Sequence, residues 1–303
     1  MAAGVGSIIQ NTDYNSIRST VDSVFGRNSN GYGQTLSSAN VSTGNVITAL
    51  QWLNLRTDMV KARQHQVGSA VGSSSATDGR NLVVPTSGAT ITEALRSQYA
   101  GFASTLLSNR YSIDTDNVGG QFSDETLITG TRSTAWNGTL THTVTITGST
   151  AGDGSAANLR YYFNAGGKLR VSATITAGTS KNNTWSLMFT QVGEFVMDYT
   201  QTTYTGSSAT GSAIGFEDLT TSDQLIGQKT APSGSYAENR WYVYARRSAD
   251  SSQIVLTMQY QDNDSGDPNF DEDVQPTLNS FVKMFRPSGT NVSVLSPTAT
   301  QSI

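Results

Sequence analysis

The chain has 303 residues, a formal net charge of −4, only 14% charged residues and no cysteine. Disulfides and thiolate chemistry are therefore excluded. No segment approaches the roughly 20 apolar residues of a bilayer span, and no basic stripe marks a nucleic-acid surface.

The opening "MAAGVGSIIQNTDY" has no basic n-region and turns polar at once. No signal peptide is expected, and with it no glycosylation at the sequons of Asn40, Asn137, Asn182 and Asn291. Thr12 is the expected N-cap of a first helix that places Tyr14, Ile17, Val21, Val24 and Phe25 on one face and stops at Gly26. "NSNGYGQT" (28–35) reads as a loop; its glycines lack the lysine and the strand–helix setting of a phosphate-binding loop. A longer helix is predicted from Thr48 to Val67, with Leu50, Trp52, Leu53, Met59 and Val60 inward. After a polar Gly/Ser-rich loop (68–81), Thr90 or Thr92 caps a third helix reaching Asn109, with Ile91, Leu95, Tyr99, Phe102 and Leu106 on one stripe.

Beyond residue 132 the apolar period changes from helical to two. "TLTHTVTIT" (139–147) alternates Leu140, His142, Val144 and Ile146 against threonines. "LRYYFNAGGKLRVSATIT" (159–176) reads as two strands around an Asn-Ala-Gly-Gly turn. Further strands are predicted over 194–205, 240–248, 252–261 and 278–286. The expected architecture is α+β: a helical assembly region over 1–132, an antiparallel, jelly-roll-like β-sandwich over 133–287, and a flexible C-terminal tail over 288–303.

The charge is uneven. Residues 1–132 carry nine basic and nine acidic side chains, whereas "DNDSGDPNFDEDV" (262–274) holds six carboxylates, more than the whole net excess. Asp262, Asp264 and Asp273 fall at positions 1, 3 and 12 of a calcium loop, but Gly266 stands at position 5 and Asp267 at position 6, where such a loop needs a ligand and a glycine. A Ca2+ site of another type between strands stays open, with those three aspartates as candidate ligands. A glycoside-hydrolase pair drawn from the same stretch, with Asp267 or Asp271, is the alternative chemistry. The bland reading is an ordered acidic turn whose carboxylates pair with Arg240, Arg246 or Arg247. His65, at a helix end, reads as a polar surface residue, and His142 as a side chain lining a threonine-rich face. No catalytic constellation emerges, and no cofactor site. Trp136, Trp185 and Trp241 fit core filling better than a sugar-binding platform.

Several segments in order resemble a family of virion structural proteins of tailed phages, especially marine cyanophages. They are "GSIIQNTDYNSI" (6–17), "NGYGQT" (30–35), "WLNLRTDMVKARQHQVG" (52–68), "TAWNGTLTHTVTITG" (134–148), "RYYFNAGGKLRVSA" (160–173), "KNNTW" (181–185) and "QDNDSGDPNFDEDV" (261–274). The resemblance implies a non-enzymatic part of a tail, baseplate or fibre, assembled in the host cytoplasm with other virion proteins. It further implies a homo-oligomer, a trimer among the options, with no nucleic-acid partner and no membrane insertion. A carbohydrate-binding adhesin recognising a host-surface glycan is the alternative role.

Overall fold

A computed structural model describes residues 9–68, 79–115, 121–149, 158–232, 234–264 and 273–303. The chain divides into two compact units. The first comprises Met1–Phe122, Asn164–Gly166 and Pro287–Val294; the second comprises Ser123–Phe163, Gly167–Arg286 and Leu295–Ile303.

The first unit is helical: α1 (Asn11–Phe25), α2 (Ala49–Val67) and α3 (Glu93–Ser108). Gln10 rather than Thr12 caps α1, exchanging backbone and side-chain bonds with Asp13, while Thr48 and Thr92 cap the other two. The predicted α1 stripe is the buried one. In α2 the inward face is rotated from the expectation. Trp52 and Met59 are buried, with Leu55, Asp58, Ala62, His65 and Gln66, whereas Leu50 and Leu53 are exposed. The reason is a polar interior that hydropathy does not register. Asp58 accepts bonds from Ser37 N (2.9 Å), Ser38 N (2.8 Å) and Ser38 Oγ (2.7 Å), which satisfies a buried carboxylate and fixes the face. Trp52 meets Tyr14 and Tyr99 edge-on, with centroids 5.4 and 4.6 Å apart.

The second unit is an antiparallel α+β sandwich of two five-stranded sheets. One sheet has the order β1 (Phe122–Arg132), β9 (Leu278–Pro287), β3 (Lys168–Ile175), β4 (Phe195–Met197), β5 (Thr202–Tyr204). The other runs β10 (Thr298–Ser302), β2 (Gly138–Thr147), β8 (Gln253–Asp262), β7 (Arg240–Arg247), β6 (Gln224–Thr230). The core lies between them. Alternate residues of β2, β7 and β8 face Val171, Phe195, Val282 and Met284, and Trp241 packs on Phe195 at 5.1 Å. Helix α5 (Ser180–Val192) adds Trp185 and Phe189 to this core, Phe189 lying 5.1 Å from Trp241. Trp136, Trp185 and Trp241 are all buried, so they offer no surface for a sugar.

Several local expectations are corrected. Residues 159–164 form a helix, α4 (Asn158–Asn164), not a strand. "FNAGG" is its stop: Gly166 adopts φ +84° and Gly167 N–H bonds back to Tyr162 O at 2.8 Å, closing a helix end rather than a hairpin. The segment 194–205 is a hairpin of β4 and β5, because Asp198 Oδ1 accepts from Thr200 N and Gln201 N and turns the chain. The tail expectation over 288–303 also gives way. Residues 287–294 belong to the helical unit, where Gln34 exchanges two bonds with Ser293 and Asn291 reaches Gln64. Thr298–Ser302 pairs along β2 as β10. Val292 and Val294 are buried in the first segment, but two apolar residues are too few to show a period, and the second segment is held by backbone pairing.

Candidate functional site

The acidic stretch is where the sequence concentrates chemistry, and its two ends lie in the sandwich unit. Residues 265–272, with Asp267 and Asp271, lie outside the described residues. The described ends are gripped by two consecutive residues in the first turn of α5. Thr179 caps that helix, its hydroxyl accepting from Asn182 N, and so presents Lys181 and Asn182 inward.

Lys181 Nζ donates to Asp262 Oδ2 at 3.0 Å and to Asp264 Oδ1 at 2.6 Å. The Lys181 and Asp262 side chains have no exposed surface and Asp264 only 8%. The ammonium also lies 5.5 Å from the Tyr236 ring centroid. Asn182 holds the far end: its Nδ2 donates to Gln275 O at 2.9 Å and its Oδ1 accepts from Gln275 N at 2.9 Å. Val274 and Trp136 exchange backbone bonds of 2.8 and 3.1 Å, and Asn263 N donates to Asn239 Oδ1.

Among the described residues, two carboxylates face one ammonium. Burial, with a hydrogen bond donated by the neutral acid to Asp264 adding to it, raises the Asp262 carboxyl to about 7 against the pull of Lys181. Burial also works against ionised Asp264, but bonds from Asp262 and Lys181 outweigh it and hold that carboxyl below its usual range. For Lys181, burial is likewise outweighed by its two carboxylate partners, and its proton is held more tightly than usual. Asp262 Oδ1 is buried and accepts no hydrogen bond.

The candidate calcium ligands therefore separate. Asp262 and Asp264 converge on a lysine rather than on an open cation position, and Asp273 is exposed. Among the described residues, no group of three or more His, Asp or Glu side chains could hold a metal ion. The arginines named as partners are engaged elsewhere. Arg240 donates to Ala237 O and Asn239 O, Arg246 pairs with Asp223 at 2.6 Å, and Arg247 donates to Phe216 O. Sequence reasoning missed Lys181, whose signal was a lone lysine one residue into a capped helix.

Both histidines are buried, contrary to a surface or lining role. His65 Nε2 donates to Ala165 O at 2.9 Å, and Nδ1 lies 3.2 Å from Gln121 Oε1. Burial lowers its pKa to about 4, keeping it neutral. His142 sits in a directed chain. Tyr260 OH donates to Ser280 Oγ (2.6 Å), and Ser280 donates to His142 Nδ1 (2.8 Å). His142 Nε2 then donates to Gln301 Oε1 (2.8 Å), and Gln301 Nε2 to Thr129 O (2.9 Å). Serine, histidine and an orienting amide follow one another as in a nucleophilic triad. Ser280 and His142 are fully buried, however, and the chain consumes every donor in holding the two sheets together.

The helical unit carries the apolar surface. Val46 is 81% exposed, Leu50 62% and Leu53 40%. Val46 also lines a groove of about 1030 Å³, with Ile9, Thr43, Ile47, Ile91 and Ala94 among the other lining residues.

Comparison of the chain with protein-family models, with curated proteins and with solved structures found no match.

Proposed function

We propose that this chain is a non-enzymatic structural component of a tailed-phage virion, in its tail, baseplate or fibre apparatus, working through protein–protein assembly. The observation that carries the reading is the exposed apolar surface of the helical unit, Val46, Leu50 and Leu53, with Val46 lining an apolar groove. Large apolar side chains left exposed on one helix and at the rim of a groove favour burial against another protein surface. The ordered segment resemblance to virion structural proteins supports the same reading. So does the use of the chemistry-bearing residues His65, His142, Ser280 and Lys181 inside packed interiors. The partners in this reading are other virion proteins and further copies of the chain. Negative-stain imaging of purified particles with an antibody against this chain is the test: labelling at the tail is expected, and unlabelled particles overturn the reading.

A host-surface glycan partner is the competing reading. Its remaining surface support is the pair Tyr242 and Tyr244 on β7, half-buried with centroids 6.0 Å apart. Binding of the full chain on a glycan array would favour it over pure assembly.

A further inference from the structure

The Lys181–Asp262–Asp264 cluster has the parts of a condensation reaction as well as those of an ion pair. A primary amine, a carboxyl and a second carboxylate lie within 3.0 Å of one another's polar atoms through Nζ. All three side chains are withdrawn from water. Trp185 stands one turn along α5 from Lys181 and lies 6.2 Å from Tyr260, two residues before Asp262 on the inner face of β8. Tyr236 flanks the ammonium, its ring centroid 5.5 Å from Nζ.

As an ion pair the arrangement is incomplete. Asp262 Oδ1 is buried without a donor, and an ionised carboxylate with an unpaired buried oxygen is costly. An amide oxygen at the same place carries less charge and tolerates the lack of a donor better. In water an ammonium and a carboxylate do not condense, because solvation favours the ions. In a dry interior that solvation is missing, and the water released can leave.

We propose that Lys181 and Asp262 are joined by an isopeptide bond that the folded chain forms by itself, with Asp264 carrying the protons. Asp264, ionised and 2.6 Å from Nζ, takes a proton from the Lys181 ammonium. The freed Nζ lone pair attacks Cγ of Asp262 in its neutral acid form, making the C–N bond. The Cγ–O bond then breaks, and the hydroxyl leaves as water with the proton that Asp264 carried. A second proton from nitrogen passes to Asp264. Lys181 thus goes from three N–H bonds to one, one water is released, and one proton remains on Asp264; nothing is oxidised or reduced. Burial favours the neutral acid at Asp262. The resting cluster holds the proton on Lys181 and not on Asp264, so that transfer is the uphill step, drawn forward by the C–N bond and the loss of water. The bond would lock the start of α5 to the end of β8. This proposal does not rest on the virion reading.

The test is the intact mass of the purified full chain under denaturing conditions, with proteolytic mapping. The expected result is a mass lower than that of the sequence by one water, with a branched peptide joining the Lys181 and Asp262 segments. Lys181→Arg and Asp262→Ala should each restore the full mass expected for their sequence. Asp262→Asn should release ammonia in place of water, and Asp264→Ala should leave most of the chain unlinked. A wild-type chain at full sequence mass overturns the proposal, whatever the variants do. So does a mass loss that persists in Lys181→Arg, which places the lost water elsewhere. Full linkage in Asp264→Ala overturns the proton-carrier role. The bond forms only in the folded chain, so an unlinked variant counts only where its circular dichroism before denaturation matches the wild type; the wild-type mass decides the proposal by itself.

Discussion

The imidazole of His142 closely approaches Gly130: a Cβ built on that glycine would stand 2.6 Å from both Cε1 and Nε2 of the ring. Gly130 is thus a strand glycine chosen by close approach, since β1 can pass the buried ring only without a side chain. Gly130→Ala must displace an imidazole fixed at both nitrogens by Ser280 and Gln301. We expect a loss of about 1–3 kcal/mol in urea unfolding. Unchanged stability would mean that the ring has freedom the hydrogen bonds deny it.

Ser280 is the hinge of the same chain of bonds. It accepts from Tyr260 and donates to His142, so Ser280→Ala strands a buried hydroxyl and a buried ring nitrogen together. The expected cost is about 1–3 kcal/mol, read by denaturant unfolding. Amide exchange in β10 should also quicken, since His142 anchors Gln301. If Ser280 served only as small core filling, alanine would be nearly neutral.

His65 gives the helical unit an acid limit. Its folded pKa lies at about 4, below the ordinary 6.5, so the unfolded chain binds the extra proton between these values. The stabilisation is complete above about pH 6.5 and is lost as pH falls toward 4, amounting to about 3 kcal/mol in full. Asp262, with a raised carboxyl, acts in the opposite sense in the other unit. The informative quantity is therefore the difference in stability between wild type and His65→Gln, followed across pH. It should shrink steadily below pH 6.5; a constant difference would show His65 protonated in the folded chain.

Leu50 separates folding from assembly. Most of its side chain is exposed at the start of α2, so Leu50→Lys should leave monomer stability within about 0.5 kcal/mol. Under the assembly reading, the same change should abolish or weaken association seen by sedimentation velocity. Equal association by both chains would move the contact away from this surface.

How far the sequence can be read is clearest at α2 and α4. The start at Thr48, and Thr92 as one of two threonines offered for the third helix, are legible because capping is local chemistry between residues three apart. The two-residue alternation of β2, β7, β8 and β9 was equally legible, because one face of each is dry. "LRYYFN" misled, since a seven-residue helix buried almost all round has no amphipathic period to show. β1, β6 and β10 were missed for a different reason. Their burial patterns barely alternate, so their place in a sheet comes from a neighbour's hydrogen bonds rather than their own side chains.

The acidic stretch divides along the same line. From the sequence alone come its excess of charge, its failure as a calcium loop and its position between late strands. That Lys181 rather than an arginine receives Asp262 and Asp264 required the tertiary fold, because 81 and 83 residues separate the partners. The sequence by itself determined the starts of α2 and α3, the strand alternation of β2, β7, β8 and β9 and the absence of thiol chemistry, all set by residues close along the chain. Only the tertiary structure decided which polar groups are buried together. Burial is a property of the whole packed unit, and it is burial that turns a lysine and two aspartates from solvated charges into neighbours able to react.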